Sequence, residues 1–158
     1  MKSTKDSPGV FIPPPFIYAL VFLISFILQG YFTIRQAFFF HSRIANILGL
    51  IFILTGLFFA VPAVRQFFKS KTSIVPIRPA SSLQTSSIYS VSRNPMYLGL
   101  MFQYLGMAFI FGNWWTLILL PVLFLLIRFL IILPEERYLS RAFGEGYAEY
   151  KKKVRRWI

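Results

Sequence analysis

Cysteine is absent from this chain, histidine occurs once, and only five acidic residues stand against seventeen basic ones. Without cysteine there are no disulfides, no thiolate nucleophile and no Cys-ligated metal or cluster. The lone imidazole, His41, follows the FFF at 38–40 in a short polar break and reads as an interfacial loop residue. One histidine cannot build a His-rich metal site, so no metal is expected. What the chain has in abundance is apolar surface: 56% of its 158 residues are hydrophobic and 19% aromatic, with a formal charge of +12. A soluble domain of this length cannot hide that much, and the expected class is an integral membrane protein.

The apolar and basic residues are segregated along the chain. The N-terminal segment, residues 1–15, ends in three consecutive prolines, and the run that follows outlasts a signal-peptide core, so it reads as a retained span. Residues 16–34 and 44–64 are long enough to cross roughly 30 Å of hydrocarbon. In the second, Gly49 and Gly56 lie seven apart, a spacing that lets helices approach closely. Residues 65–95 are basic and Ser/Thr-rich, and read as a cytoplasmic connector too long to be a turn. Residues 96–111 make a short third span with Gly99 and Gly106 again seven apart. GNWW at 112–115 predicts a tight turn followed by two interface-anchoring tryptophans. Residues 116–133 make a fourth span, with Pro121 as a kink and Arg128 inside it.

The expected architecture is therefore all-α: one membrane domain of about four transmembrane helices plus a C-terminal amphipathic helix over 134–158. Fourteen Lys and Arg lie in the N-terminal segment, connector and tail, against two in the loop at 35–43. That bias places both termini on the cytoplasmic side. In the tail, Pro134 suits a first helical turn, Glu135 and Glu136 complement the helix dipole, and Gly144 and Gly146 punctuate the helix. Tyr147, Tyr150, Val154 and Trp157 recur at helical spacing, with basic residues on much of the rest. Such a helix is expected on the bilayer surface, its basic face toward anionic lipid. No nucleic-acid partner is expected.

Taken singly, the polar residues at the span ends have plain readings. Arg93 and Asn94 can cap the third helix and reach toward headgroups, the glutamates can be helix-start carboxylates, and Arg128 can snorkel. Taken together they say more. The turns at 93–97 and 133–136 are the two cytoplasmic ends of one helical hairpin, so RNPMY and PEE should lie side by side. That junction offers a guanidinium, an amide, tyrosine rings and two of the five carboxylates. A site polar on one side and greasy on the other suits a polar cofactor meeting a lipophilic substrate.

LQTSSIYSVSRNPMYLG followed by PEERYLSRAFGEGYAEYKKKVRRW resembles the isoprenylcysteine carboxyl methyltransferase and phospholipid methyltransferase superfamily, most of all its small bacterial membrane enzymes. The matching positions are Leu83, Ser87, Tyr89, Arg93, Asn94, Pro95, Tyr97, Gly99, Glu135, Glu136, Leu139, Phe143, Gly144, Tyr147 and Tyr150. The likeness covers about residues 70–158. Many relatives carry glycine where this chain has Ser87, and the eukaryotic enzymes carry histidine where it has Asn94. An asparagine has no proton to exchange near neutral pH, so the resemblance implies hydrogen bonding rather than acid–base work there.

The resemblance implies a transferase acting at the bacterial inner membrane with S-adenosyl-L-methionine as cofactor and a lipophilic methyl acceptor. Its implied cofactor-binding residues are Leu83, Ser87, Tyr89, Arg93, Asn94, Pro95, Tyr97, Leu98, Gly99, Glu135 and Glu136. Asn94 and the backbone near Ser87 would meet the adenosine, Arg93 the methionine carboxylate or a structural clamp, and one glutamate the amino group or ribose. Tyr89 and Tyr97 would pack on adenine or face the sulfonium. Candidate catalytic residues are Arg128, Tyr97 and Glu135, Arg128 either orienting an anionic acceptor or pairing with a glutamate. Two other readings are a non-enzymatic membrane scaffold or lipid-binding protein, and a membrane reductase using NADPH.

Overall fold

The computed structural model describes residues 9–10, 12–34, 40, 42–69 and 82–158. The break around His41, the middle of the connector and most of the N-terminal segment lie outside the described residues. What is described is helical, with no strand among the described residues. The elements are α1 (Pro14–Tyr31), α2 (Arg43–Lys69), α3 (Pro95–Phe111), α4 (Trp114–Ile118), α5 (Leu120–Ile127) and α6 (Leu133–Lys153). A single 3₁₀ turn, Ser87–Ser90, precedes α3, and a π-helical turn, Arg128–Ile132, joins α5 to α6.

Proline starts the helices that matter. Pro13 caps α1, and prolines occupy the first positions of α1 and α3, where a missing N–H costs nothing and φ is already helical; Pro121 and Pro134 stand at the start of α5 and α6, where one helical segment runs into the next. α3 ends where Gly112 turns left-handed at φ 64°, and Asn113 then caps α4 by accepting the Trp115 N–H at 3.0 Å. Trp115 donates its indole N–H to the Phe32 carbonyl at 2.8 Å, and Trp114 packs edge-on against Phe40. The expected anchors thus bond within the protein.

α2 and α3 are antiparallel, and their glycines meet crosswise. A Cβ on Gly56 would stand 2.6 Å from the Gly99 carbonyl oxygen, and one on Gly106 would stand 2.7 Å from that of Gly49. Only hydrogen fits, so the backbones touch. The other side of α3 packs against α1 and α5 through Tyr18, Val21, Tyr97, Met101, Tyr104, Leu123 and Ile127. Inside that layer Asn113 donates to Ser25, whose hydroxyl lies 2.8 Å from that of Thr116, so these three buried polar side chains satisfy one another, while the buried Tyr104 hydroxyl has no partner among the described residues.

The outer surface is greasy. Phe16, Leu20 and Leu23 on α1, and Ile44, Ile47, Leu50, Leu54 and Phe58 on α2, are all exposed. Only 28% of the apolar stretch of α1 and 22% of that of α2 is buried against protein, the reverse of a soluble core helix. This is a membrane protein. Two of its described helices are long and apolar enough to cross a bilayer; α3, at seventeen residues, is shorter.

Four sequence expectations need correcting. The first span ends at Tyr31 rather than 34, and the second runs on to Lys69. The fourth span is not one helix: it divides at Leu119, two residues ahead of Pro121, and widens into the π turn before Pro134. Pro134 has no N–H to give and its ring crowds the carbonyl four residues back; the wide turn, closed by Leu133 N–H to the Arg128 carbonyl, accommodates it. Lastly, the tail helix is broken by a kink at Gly144, where φ is 51°, and stops at Lys153. Val154 is extended (φ −124°, ψ 131°), so Trp157 does not continue a helical face and packs on Phe124 instead.

Candidate functional site

Two helix starts and the returning tail converge at one corner. Pro95 begins α3 and sends the Tyr97 side chain inward, where its hydroxyl donates to Glu135 Oε2 at 2.9 Å. Glu135 and Glu136 open α6 directly after the π turn; the residue inserted there resets the direction in which both face. Glu136 meets Arg93 at 3.0 Å and is gripped by Arg156 through two bonds, Nε to Oε1 at 2.9 Å and Nη2 to Oε2 at 2.7 Å. The convergence expected of RNPMY and PEE is therefore present.

The last residues hold the corner from outside. The Arg155 carbonyl accepts the Arg93 N–H at 3.0 Å, and the Arg156 carbonyl accepts the Asn94 amide at 3.0 Å and the Ser92 hydroxyl at 3.4 Å. Asn94 precedes α3, but its side chain makes no capping bond; it ties the tail down instead. Tyr18 of α1 reaches across to the Tyr97 carbonyl at 2.9 Å.

The connector closes the site from the other side. Tyr150 donates to the Tyr89 carbonyl at 2.6 Å, and Leu83 packs on the buried cluster of Tyr147, Tyr150 and Val154. The apolar face of the tail helix is thus spent on the protein, while Lys151, Lys152, Lys153 and Arg155 stay exposed. Ser87 sits at φ 59°, in the left-handed region where glycine costs least. That backbone fits the glycine that the resemblance implies at this position. A groove of about 450 Å³ follows the seam of connector and tail, lined by Thr85, Ser90, Glu149, Tyr150 and Lys153 among others.

The two glutamates differ electrostatically. Burial lifts the Glu135 carboxyl to about 7; the Tyr97 hydrogen bond pulls it down and the Glu136 charge pushes it up. Hydrogen bonding to Glu136 raises Arg156 above its ordinary value. Arg93 keeps a buried Nε with no partner among the described residues.

The remaining expected site residues fall into different places. Pro95 is buried at the start of α3, and Leu98 packs on the cluster of Phe59, Ile88 and Tyr89. Gly99 faces Gly56 and Ala60, so helix packing occupies it. Arg128 pairs with neither glutamate, correcting that part of its expected role: its nearest described interaction is with the Phe129 ring at 5.6 Å, and its Nε is buried without a partner. Arg156, Ser92 and Tyr18 were not expected here. A hydroxyl within an uncharged span must find a partner, which was the available signal for Tyr18. Arg156 reads in the sequence as one more lipid-facing charge.

The profile of the phospholipid methyltransferase family matches residues 44–146, from α2 through the corner into the tail helix. The chain belongs to that family. Among relatives, it is similar to the protein-S-isoprenylcysteine O-methyltransferases of Saccharomyces cerevisiae and Schizosaccharomyces pombe. The first is 31% identical over 72% of this chain and 48% of its own length. The second is 30% identical over 84% of this chain and 51% of its own length. The chain thus spans about half the length of these two relatives. It is also similar to an uncharacterized protein of Haemophilus influenzae, 38% identical over 40% of this chain and the whole of that protein. No solved structure matches the chain significantly. The family match takes in α2, which the sequence motifs did not reach, and with it the glycine contacts that hold α3 in place.

Proposed function

We propose that the chain is an S-adenosylmethionine-dependent methyltransferase acting at the membrane on a lipophilic acceptor, with the donor held at the corner of Tyr97, Glu135, Arg93 and the connector. The observation that carries this reading is the split between the adjacent carboxylates. Glu136 is taken by two arginines, while Glu135 keeps one hydrogen bond and capacity to accept more. A cationic amino group or a ribose hydroxyl would suit that acceptor. The partnerless Arg93 Nε and the left-handed turn at Ser87 fit a nucleoside-bearing cofactor.

S-adenosylmethionine would supply a methyl group on a sulfonium, open to in-line attack. The chain's own contribution is positioning and exclusion of water. Arg93 and Asn94 hold the turn against the tail; the rings of Tyr89 and Tyr97 would attract the sulfonium. The acceptor is a lipophilic nucleophile arriving from the bilayer: an isoprenylcysteine-like carboxylate, as the yeast relatives' names indicate, or a phospholipid amine, as the family's does. In this reading four segments cross the inner membrane of a bacterium, both termini are cytoplasmic, and the exposed lysines of the tail meet anionic lipid.

S-adenosylhomocysteine at a hundredfold its dissociation constant should stabilise the detergent-purified protein by about 2.7 kcal/mol in thermal unfolding, and NADPH should not. Stabilisation by NADPH alone, or by neither, sinks the reading. Membranes incubated with labelled cofactor would show which lipid acquires the methyl.

A further inference from the structure

The C-terminal residues form a strap with a particular chemical consequence. From Val154, itself extended, the chain crosses the turn at 92–94 and gives it two carbonyls, while Trp157 anchors on Phe124 at 5.4 Å between ring centres. Between these attachments the Arg156 guanidinium takes both oxygens of Glu136. We propose that Arg156 is a positioning residue for Glu135: by occupying Glu136, the strap leaves Glu135 as the corner's one uncommitted carboxylate and lets it ionise to receive the cofactor's cationic part. This rests on the reading that a methyl donor binds at the corner.

The physical argument is one of neighbouring charges. Two carboxylates side by side in a partly desolvated corner oppose each other's ionisation. Arg93 alone touches one oxygen of Glu136; Arg156 adds a bidentate clamp on both. The other ionisable groups around Glu135 are Tyr97 of α3, Tyr89 of the connector and Tyr147 of α6, none of which carries a charge near neutrality. The balance at Glu135 therefore depends on how fully Glu136 is neutralised. Lysine at 156 would keep the charge but lose the fork, and glutamine would lose the charge.

Calorimetric titration of the full chain with S-adenosylhomocysteine between pH 5.5 and 8.5 tests this. Wild-type affinity should rise with pH through a midpoint near that of Glu135. In Arg156→Gln the midpoint should move up by about half a pH unit or more, with affinity at pH 7 down about threefold to tenfold and recovering toward wild type at pH 8.5. Arg156→Lys should restore most of the midpoint. A wild-type midpoint in Arg156→Gln, or an equal loss at every pH, overturns the inference and leaves the cofactor reading standing. Failure of the wild-type protein to bind at any pH overturns both. Where Arg156→Gln does not fold, Glu136→Gln carries the test: its midpoint should fall below wild type, and an unchanged one overturns the inference.

Discussion

Adjacent residues of one chemistry can be given opposite work by their surroundings, and Glu135 and Glu136 show it. Glu136 is engaged on both oxygens by guanidinium groups, whereas Glu135 is desolvated and bonded to a tyrosine hydroxyl. Glu135 therefore leaves a mark on stability. Its folded pKa of about 7 lies above its ordinary value of 4.5. Between those values the folded protein keeps a proton that the unfolded chain has released, so stability from this group falls as pH rises and levels off above 7. The slope is at most about 1.4 kcal/mol per pH unit. Glu135→Gln should flatten that part of the profile in thermal unfolding from pH 4.5 to 8; an unaltered slope would place the carboxyl in water. Arg93, Asn94, Tyr97 and the two glutamates were legible from their types and spacing; Ser92 and Tyr18 were not. That one acid is neutralised and the other left free was not, because Arg156 lies twenty residues further on.

At the scale of elements, α3 is placed by two glycine contacts and oriented by prolines. The seven-residue glycine spacing was visible in each span, and its pairing across the antiparallel helices follows from it. Gly56→Ala or Gly99→Ala would drive a methyl to within 2.7 Å of a carbonyl oxygen on the facing helix. The backbones would have to part, at about 1–3 kcal/mol, and the start of α3 would shift with them. Gly30→Ala, where nothing lies within 4 Å, should be neutral or slightly stabilising. Thermal unfolding of the three variants in one detergent checks the contrast, and equal effects would dismiss the packing account. The π turn before Pro134 is an element that periodicity does not announce. Its cause is local, a missing N–H and a crowding ring, but the neighbouring helices determine whether such a proline bends, widens or ends a helix.

On the scale of the whole molecule, apolar helices turn their greasy faces outward and the charged corner gathers at one end of the bundle. The lack of native cysteine makes the orientation testable without background labelling. Lys153→Cys should react with a membrane-impermeant thiol reagent only when the cytoplasmic face is accessible, and Phe32→Cys, at the far end of α1, only from the opposite face. Labelling of both from one side would contradict the proposed topology. The sequence by itself determined the membrane class, the all-helical fold and the pairing of the two motifs, because run length, proline position and side-chain type are local properties of the chain. Only the tertiary structure decided that the tail's apolar face packs on the connector rather than on lipid, and that its last arginine closes the corner. Those outcomes depend on where helix α6 stops, and an extended residue at Val154 turns the chain back in a way that helical spacing does not foretell.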